Sequence, residues 1–273
     1  MGRVRLDVLL VDRGLVRSRA EASEAIAAGM VLVNGSVAQK PARQVDPGEQ
    51  IHVMAHGPEF VSRGGKKLAR ALTAFSIDPS GRTAVDAGSA TGGFTDCLLQ
   101  AGAAGVVAVD VGYGQLHERL RQDERVISLE RTNIREVDRE RATALLAPKP
   151  APSLVVADLS FMSARLICAR LLEVSGETGD TVILCKPQFE VGRQVASKGR
   201  GVIRARSDRA DALEGVVEAL SAAGASVLGI TASPILGPAG NAEFLVHARH
   251  GEASDRATIE DMIDLALDEA ELL

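Results

Sequence analysis

The chain has 273 residues, of which 46% are hydrophobic and 25% charged, a composition typical of a soluble globular protein with a sizeable core. No segment approaches the roughly 20 consecutive apolar residues that span a bilayer. Charged side chains interrupt the first ten residues, which excludes the pattern of a secretory signal. These features predict a cytoplasmic protein and argue against a membrane-embedded one.

The net charge of −5 is unevenly distributed. Residues 1–70 carry 11 Lys and Arg against 7 Asp and Glu, whereas residues 252–273 carry one Arg against 8 acidic residues. The N-terminal part is therefore basic, as expected for a nucleic-acid-binding region, and the acidity lies largely in the C-terminal tail. The three cysteines lack the paired spacing of metal ligands, so no metal site is expected.

The first 53 residues predict a small α+β unit. Leu6, Leu9 and Leu10 share one face of a short helix, and a second helix begins at Ser18, whose spacing to Glu21 is that of a capping box. Residues 31–33 predict a strand that the Asn-Gly turn at 34–35 joins to a return strand, and residues 50–53 predict a final strand.

Basic residues punctuate this unit and are candidates for RNA contacts, although a solvated surface explains such a pattern equally well. The order of elements, with Arg17-Ser18-Arg19 opening the second helix, resembles the alpha-L RNA-binding module, which implies binding of structured RNA through its phosphates and shape. The candidate RNA-binding residues are Arg3, Arg5, Arg17, Arg19 and Lys40.

From about residue 61, short apolar runs alternate with helical stretches, which predicts an α/β, doubly wound, Rossmann-like sheet. The predicted strands are 83–86, 105–110, 126–130, 154–158, 181–186, 226–232 and 243–247. We expect an RNA-binding domain over 1–56, a linker over 57–62, a catalytic domain over 63–250, and an acidic C-terminal helix over 251–273 that packs on the catalytic domain. Glycines and basic residues over 192–201 suggest a loop on the substrate side, or a connection without a role.

The first strand of the catalytic domain leads into a glycine-rich turn, which allows close approach of a ligand to the backbone. Asp110 ends the second strand 22 residues after Gly88, where an acid can meet ribose hydroxyls. Gly88 and Gly92 have the spacing G-x-x-x-G, which departs from the dinucleotide fingerprint and resembles class I methyltransferases; a tight turn could also need glycine for structural reasons alone. The candidate cofactor-binding residues here are Asp86, Gly88, Ser89, Thr91, Gly92, Gly93, Phe94 and Asp110, and the expected cofactor is S-adenosyl-L-methionine.

Four charged residues lie at element ends of this predicted sheet: Lys67, Asp158, Lys186 and Glu243. Their order resembles the tetrad of FtsJ-type ribose 2′-O-methyltransferases. A ribose hydroxyl is a weak acid, so its attack on a methyl group benefits from a base, and a lysine serves as one only with a pKa near ~7–8. Lys186 is the candidate base, with Lys67 as the neighbouring cation and the two carboxylates orienting the amines.

Motifs along nearly the whole chain are similar to those of the TlyA family, the rRNA (cytidine-2′-O)-methyltransferases also named hemolysin A. They lie at 61–68, 86–94, 110–115, 130–133, 158–161, 186–190 and 240–244. The resemblance implies an RNA methyltransferase with ribosomal RNA or ribosomal subunits as partner, and it adds Asn133 and Asp158 to the cofactor-binding candidates. The alternatives are a membrane-active hemolysin and a non-catalytic RNA-binding assembly factor.

Overall fold

The computed structural model describes residues 3–54, 59–192, 199 and 201–273. The chain divides into two compact units, Met1–Val61 and Ser62–Leu273, each with its own hydrophobic core. Most of the predicted loop at 192–201 lies outside the described residues.

The described residues of the first unit form two helices and five short strands. They are β1 (Val4–Arg5), α1 (Leu6–Asp12), α2 (Arg19–Ala27), β2 (Val31–Val33), β3 (Ser36–Val37), β4 (Gln44–Val45) and β5 (Ile51–Val53). Strands β3, β2 and β5 form an antiparallel sheet, and β1 pairs with β4, a two-stranded ladder that the sequence pattern did not indicate.

Local sequence explains the boundaries of these elements. The Ser18 hydroxyl accepts the backbone N–H of Glu21 at 3.1 Å and caps α2. The Glu21 carboxylate accepts the N–H of Arg17 rather than that of Ser18, so the predicted capping box closes one residue earlier. Asn34 and Gly35 have φ of 51° and 77°, the left-handed pair that a two-residue hairpin requires.

The second unit is a seven-stranded sheet with helices on its faces. Its strands are β6 (Thr83–Ala87), β7 (Gly105–Val109), β8 (Val126–Leu129), β9 (Leu154–Ala157), β10 (Asp180–Cys185), β11 (Ala225–Ala232) and β12 (Phe244–His250). Its helices among the described residues are α3 (Gly64–Ala74), α4 (Gly93–Gln100), α5 (Glu118–Arg121), α6 (Arg139–Leu146), α7 (Cys168–Ser175), α8 (Pro187–Glu190), α9 (Arg206–Ala222) and α10 (Arg256–Glu271). All seven predicted strands are present, which confirms the predicted α/β class.

The strand order is β11-β12-β10-β9-β6-β7-β8. Strand β12 runs antiparallel to both of its neighbours, β10 and β11, and the remaining pairs are parallel. Six strands therefore end at the same edge of the sheet, and β12 begins there. The switch point of the strand order lies between β6 and β9, where open α/β sheets bind their ligands beyond the strand ends.

The C-terminal helix α10 is part of the core of this unit. Ile259, Ile263, Ala266 and Leu267 are buried in the same cluster as the strand residues, and the helix packs against β11. Its opposite face carries the acidic side chains that the sequence concentrates in this tail. Among the described residues, no helix combines the length and apolar character that crossing a membrane requires.

Candidate active site

Two buried ion pairs join the four charged residues singled out in the sequence. Lys67 Nζ lies 2.5 Å from Glu243 Oε2, and the two side chains are 9% and 1% exposed. Lys186 Nζ lies 2.6 Å from Asp158 Oδ1 and donates a hydrogen bond to Ser160 Oγ at 3.0 Å. Asp158 is the most accessible of the four, with a side chain 21% exposed.

Strand directions explain why these residues share one edge of the sheet. Asp158 directly follows β9 and Lys186 directly follows β10, so both stand where parallel strands end. Glu243 directly precedes β12, and the antiparallel register places Phe244 opposite Cys185. The residue before one strand is therefore beside the residue after the other, and Lys67, from the first turns of α3, reaches the same edge by its bond to Glu243.

Asp86, in β6, is a fully buried carboxylate at the same end of the sheet. Thr95 Oγ1 donates a hydrogen bond to its Oδ2 at 2.6 Å, whereas its Oδ1 has no hydrogen-bond partner in the described part of the chain. Burial raises the pKa of Asp86 to about 7, the Thr95 hydroxyl opposes this shift, and the charge of Asp158 adds to it. A buried carboxylate oxygen without a donor is suited to a cationic group of a ligand.

The glycines of the loop after β6 lie close to other parts of the fold. Gly88 has a φ of 86°, and a Cβ there would lie 2.5 Å from the carbonyl oxygen of Asp158. Gly92, with a φ of 93°, would place a Cβ 2.2 Å from a methyl group of Leu120. A Cβ at Gly93 would lie equally close to Ser62 Oγ. The loop is thus packed into the fold, and the structural explanation for these glycines holds whether or not a ligand approaches them.

Asp110, directly after β7, connects two loops by hydrogen bonds. Its Oδ2 accepts the backbone N–H of Ala90 at 2.9 Å, and its Oδ1 accepts that of Gly112 at 2.6 Å. Each carboxylate oxygen has a second lone pair, so Asp110 can still accept hydroxyl groups of a ligand. The acid therefore connects the glycine-rich loop to the next strand end while remaining half-buried and available.

The remaining cofactor candidates differ in accessibility. Thr91 is exposed, Ser89 is buried at 8% exposure, and Phe94 is buried in α4. Asn133 is half-buried and caps the short 3-10 helix Ile134–Glu136, since its Oδ1 accepts the N–H of Arg135 at 3.0 Å. The loops at the edge where the parallel strands end, called the ligand edge from here on, contain Ser89, Thr91 and Asn133. Phe94 has a packing role instead.

Ser160 and Glu190 also lie near this group, although the sequence pattern did not single them out within the motifs at 158–161 and 186–190. Ser160 binds the ammonium of Lys186, and the Glu190 carboxylate binds the segment that follows Ser160. Phe161, which directly follows Ser160, is 93% exposed and has a φ of 66°. A single serine or glutamate in a sequence does not indicate a contact of this kind. The only sequence signal for these two residues is that they lie close to Asp158 and Lys186 in the chain.

In the first unit, two of the five candidate RNA-binding residues also have a structural role. Arg5 and Arg19 both bind the buried carboxylate of Asp7, at 2.9 and 2.8 Å. The hydrogen bonds from Arg5, followed by those from Arg19, hold the pKa of Asp7 well below its ordinary value, against the effect of burial. Arg17 and Lys40 are exposed. The fifth candidate, Arg3, is exposed as well.

The chain matches two family models in an order that agrees with its two units. An S4 domain matches residues 4–51, and an FtsJ-like methyltransferase matches residues 60–250.

Curated relatives match over most of the chain. The 16S/23S rRNA (cytidine-2′-O)-methyltransferase TlyA of Mycobacterium tuberculosis is 43% identical over 272 residues, which is 98% of each chain. Hemolysin A of Brachyspira hyodysenteriae is 37% identical over 89% of this chain and 99% of its own. Among solved structures, a protein described as a hemolysin of Streptococcus thermophilus has a TM-score of 0.74 and 37% identity, covering 100% of this chain and 98% of the other.

The buried carboxylate of Asp86 should make the stability of the ligand-free protein depend on pH. Because its folded pKa of about 7 lies above the unfolded value, its contribution is intact below pH ~4 and is lost as the pH rises through about 7, by up to about 4 kcal/mol. Asp86→Asn removes this ionisation, so the stability of the variant relative to the native protein should rise between pH 4 and 7. Urea unfolding at pH 5 and 7.5 measures the difference.

Asp211→Asn provides the control, because it makes the same substitution at an exposed position of α9. If both variants shift identically between the two pH values, the carboxylate of Asp86 is not the cause.

Proposed function

Because the chain belongs to the TlyA family of FtsJ-like methyltransferases, we propose that it transfers a methyl group from S-adenosyl-L-methionine to the 2′-hydroxyl of a cytidine in ribosomal RNA. The observation that carries the proposal is the position of Lys186. Its amine lies at the ligand edge of the sheet, held by Asp158 and Ser160, and the buried Asp86 lies at the same edge. The cytidine and the ribosomal substrate come from the activity named for the Mycobacterium relative.

The residues present fit S-adenosyl-L-methionine. The unpartnered Oδ1 of Asp86 would accept the ammonium of its methionine part, and the free lone pairs of Asp110 would accept the ribose hydroxyls of its adenosine part. Half-buried Asn133 and the backbone around Gly88 complete the same edge. When bound, the cofactor supplies an electrophilic methyl group on a sulfonium.

Lys186 would act as the general base of the reaction. A neutral amine at Nζ accepts the proton of the ribose hydroxyl as the oxygen attacks, and this removes the charge that would otherwise build up on the oxygen. The ammonium that results is neutralised by the Asp158 carboxylate at 2.6 Å and can donate to Ser160 Oγ at 3.0 Å. These two groups hold the amine in one place through both protonation states.

The ion pair of Lys67 and Glu243 would have a structural role in the site. Both side chains are buried and their charges neutralise each other, so removing either one leaves an uncompensated charge in the interior. We propose that this pair orients the substrate and that the proton moves only at Lys186.

The first unit would supply RNA affinity without taking part in the chemistry. Its exposed basic residues are suited to phosphates, and the paired Arg5 and Arg19 still expose 43% and 60% of their side chains. Scarce aromatic residues, 3% of the whole chain, favour phosphate and shape recognition over base stacking.

Calorimetry should detect binding of S-adenosyl-L-methionine and none of NADH, because the glycine-rich loop lacks the spacing that holds a pyrophosphate. Asp86→Asn should weaken cofactor binding about 10- to 100-fold, since an amide cannot neutralise an ammonium. Binding of NADH alone would refute the cofactor assignment.

Lys186→Ala should lower the single-turnover rate of methyl transfer by at least about 100-fold, while the dissociation constants for RNA and for S-adenosyl-L-methionine stay near their native values. Lys186→Arg should fail equally, because a guanidinium does not deprotonate at working pH. Lys149→Ala, at a lysine beside Gly105 where β7 begins, is the matched control and should keep the native rate. Near-native turnover in Lys186→Arg would disprove the role of base.

Substituting exposed basic residues of the first unit should flatten the salt dependence of RNA binding. Arg17→Ala and Lys40→Ala should each reduce the slope of log affinity against log salt by about one unit, without loss of stability. Arg19→Ala should reduce the slope and also destabilise the unit, since Asp7 loses a partner. Arg256→Ala, at an arginine paired with Glu260 on α10, is the control and should keep the native slope. A native slope in the three variants of the first unit as well would contradict the assignment.

A further inference from the structure

Glu190 is a buried acid that the mechanism above does not use. It ends the short helix α8, which begins directly after Lys186, and its side chain is 1% exposed. Its carboxylate accepts the hydroxyl of Ser163 at 2.5 Å and the backbone N–H of Ala164 at 2.7 Å. Arg165 Nε lies 3.5 Å from Glu190 Oε2 and provides a positive charge beside it.

These bonds connect the two segments that build the base. The loop after β9 begins with Asp158, carries Ser160 and ends at Ser163, which caps the next 3-10 helix. The turn after β10 begins with Lys186 and ends with Glu190. The contacts of Lys186 join the two segments at one end, and those of Glu190 join them at the other. The two segments are therefore fixed to each other at both ends.

The loop is held in a conformation that it would not adopt freely. Phe161 has a φ of 66°, in the left-handed region, which is sterically unfavourable for a residue with a Cβ. The ring of Phe161 is 93% exposed and lies 5.8 Å from that of Phe189, a tilted surface contact that leaves most of the ring in solvent. Strain of this kind persists only where neighbouring contacts fix the backbone, and the two bonds to Glu190 fix it two and three residues further along.

A carboxylate is a costly way to brace a loop if stability alone is required. An apolar side chain of similar volume at a buried position is often as stabilising as a buried ion pair, because it avoids desolvation of charge. A carboxylate can accept a hydroxyl and a backbone N–H at once, and this sets both distance and direction. The chemistry therefore favours a role in placing the loop.

We propose that Glu190 is a positioning residue of the methyl-transfer reaction: it holds the loop of residues 158–163 so that Asp158 and Ser160 stay against the amine of Lys186. This inference rests on the proposed function of Lys186 as the base. Displacements of about 1 Å at a reacting group lower rates by about 100-fold, so a contact that sets this spacing should be visible in the rate.

Two substitutions at Glu190 separate the bonds from the charge. Glu190→Ala removes both bonds and should lower the single-turnover rate about 10- to 100-fold, with the dissociation constants for RNA and S-adenosyl-L-methionine within about twofold of native. Glu190→Gln can keep both bonds, since its amide oxygen accepts from Ala164 and its NH2 donates to Ser163 Oγ, and it should restore most of the rate.

Ser163→Ala provides a milder test that leaves no buried carboxylate without partners, because the bond from Ala164 and the charge of Arg165 remain. It should lower the rate about 3- to 10-fold, as one of the two bonds is lost. Glu173→Ala is the matched control, since it removes an exposed carboxylate that pairs with Arg170 on α7, and it should keep the native rate.

Hydrogen exchange of the full chain gives a readout independent of catalysis. In Glu190→Ala the amide of Ala164 loses its acceptor, so it and the amides of residues 159–163 should exchange faster, while those of β9 and β10 keep native protection. Native rates in Glu190→Ala, or a rate loss in Ser163→Ala that tracks a fall in cofactor affinity or melting temperature, would overturn the positioning role. Absence of RNA methylation by the native protein would instead refute the proposed function, and the exchange pattern would still report whether Glu190 holds the loop.

Discussion

The antiparallel pairing of β12 with β10 is the constraint on which the candidate site depends. In a sheet of parallel strands, a residue at the start of a strand lies at the far edge from the residues at strand ends. Because β12 is reversed and Phe244 stands opposite Cys185, Glu243 lies beside Lys186 at the ligand edge. A parallel β12 would carry Glu243 to the opposite edge and leave Lys67 without its buried partner. The backbone hydrogen bonds between β10 and β12 thus place Glu243 where Lys67, 176 positions earlier in the sequence, can bind it.

Around that edge, buried charge is arranged in complementary pairs with one exception. Lys67 pairs with Glu243 and Lys186 lies against Asp158, so four charges enter a mostly apolar interior without a net charge. Asp86 accepts hydrogen bonds from Thr95 but has no cationic partner among the described residues, and burial raises its pKa to about 7. Burying an unpaired carboxylate costs free energy of folding. A ligand with a cationic group would recover that cost on binding, and such conflicts between stability and structure are typical of functional sites.

The first unit uses a buried acid in a different way. Asp7 is held by two arginines from different elements, Arg5 on β1 and Arg19 on α2, and its pKa is lowered instead of raised. The acid fixes the guanidinium groups while leaving large parts of them exposed. A basic surface built in this manner loses less side-chain entropy when it meets phosphates than free arginines would.

The sequence by itself determined the class of the fold, all seven strands of the large sheet, and the four charged residues at its edge. Short apolar runs, glycine turns and strand-end charges are local signals, because a few neighbouring residues set them. Only the tertiary structure decided which charges pair, that Gly88 packs against the backbone of Asp158, and that Ser160 and Glu190 contact the candidate site. Strand direction and the packing of one loop against another depend on contacts between distant segments, and no local pattern encodes the partner of a given side chain.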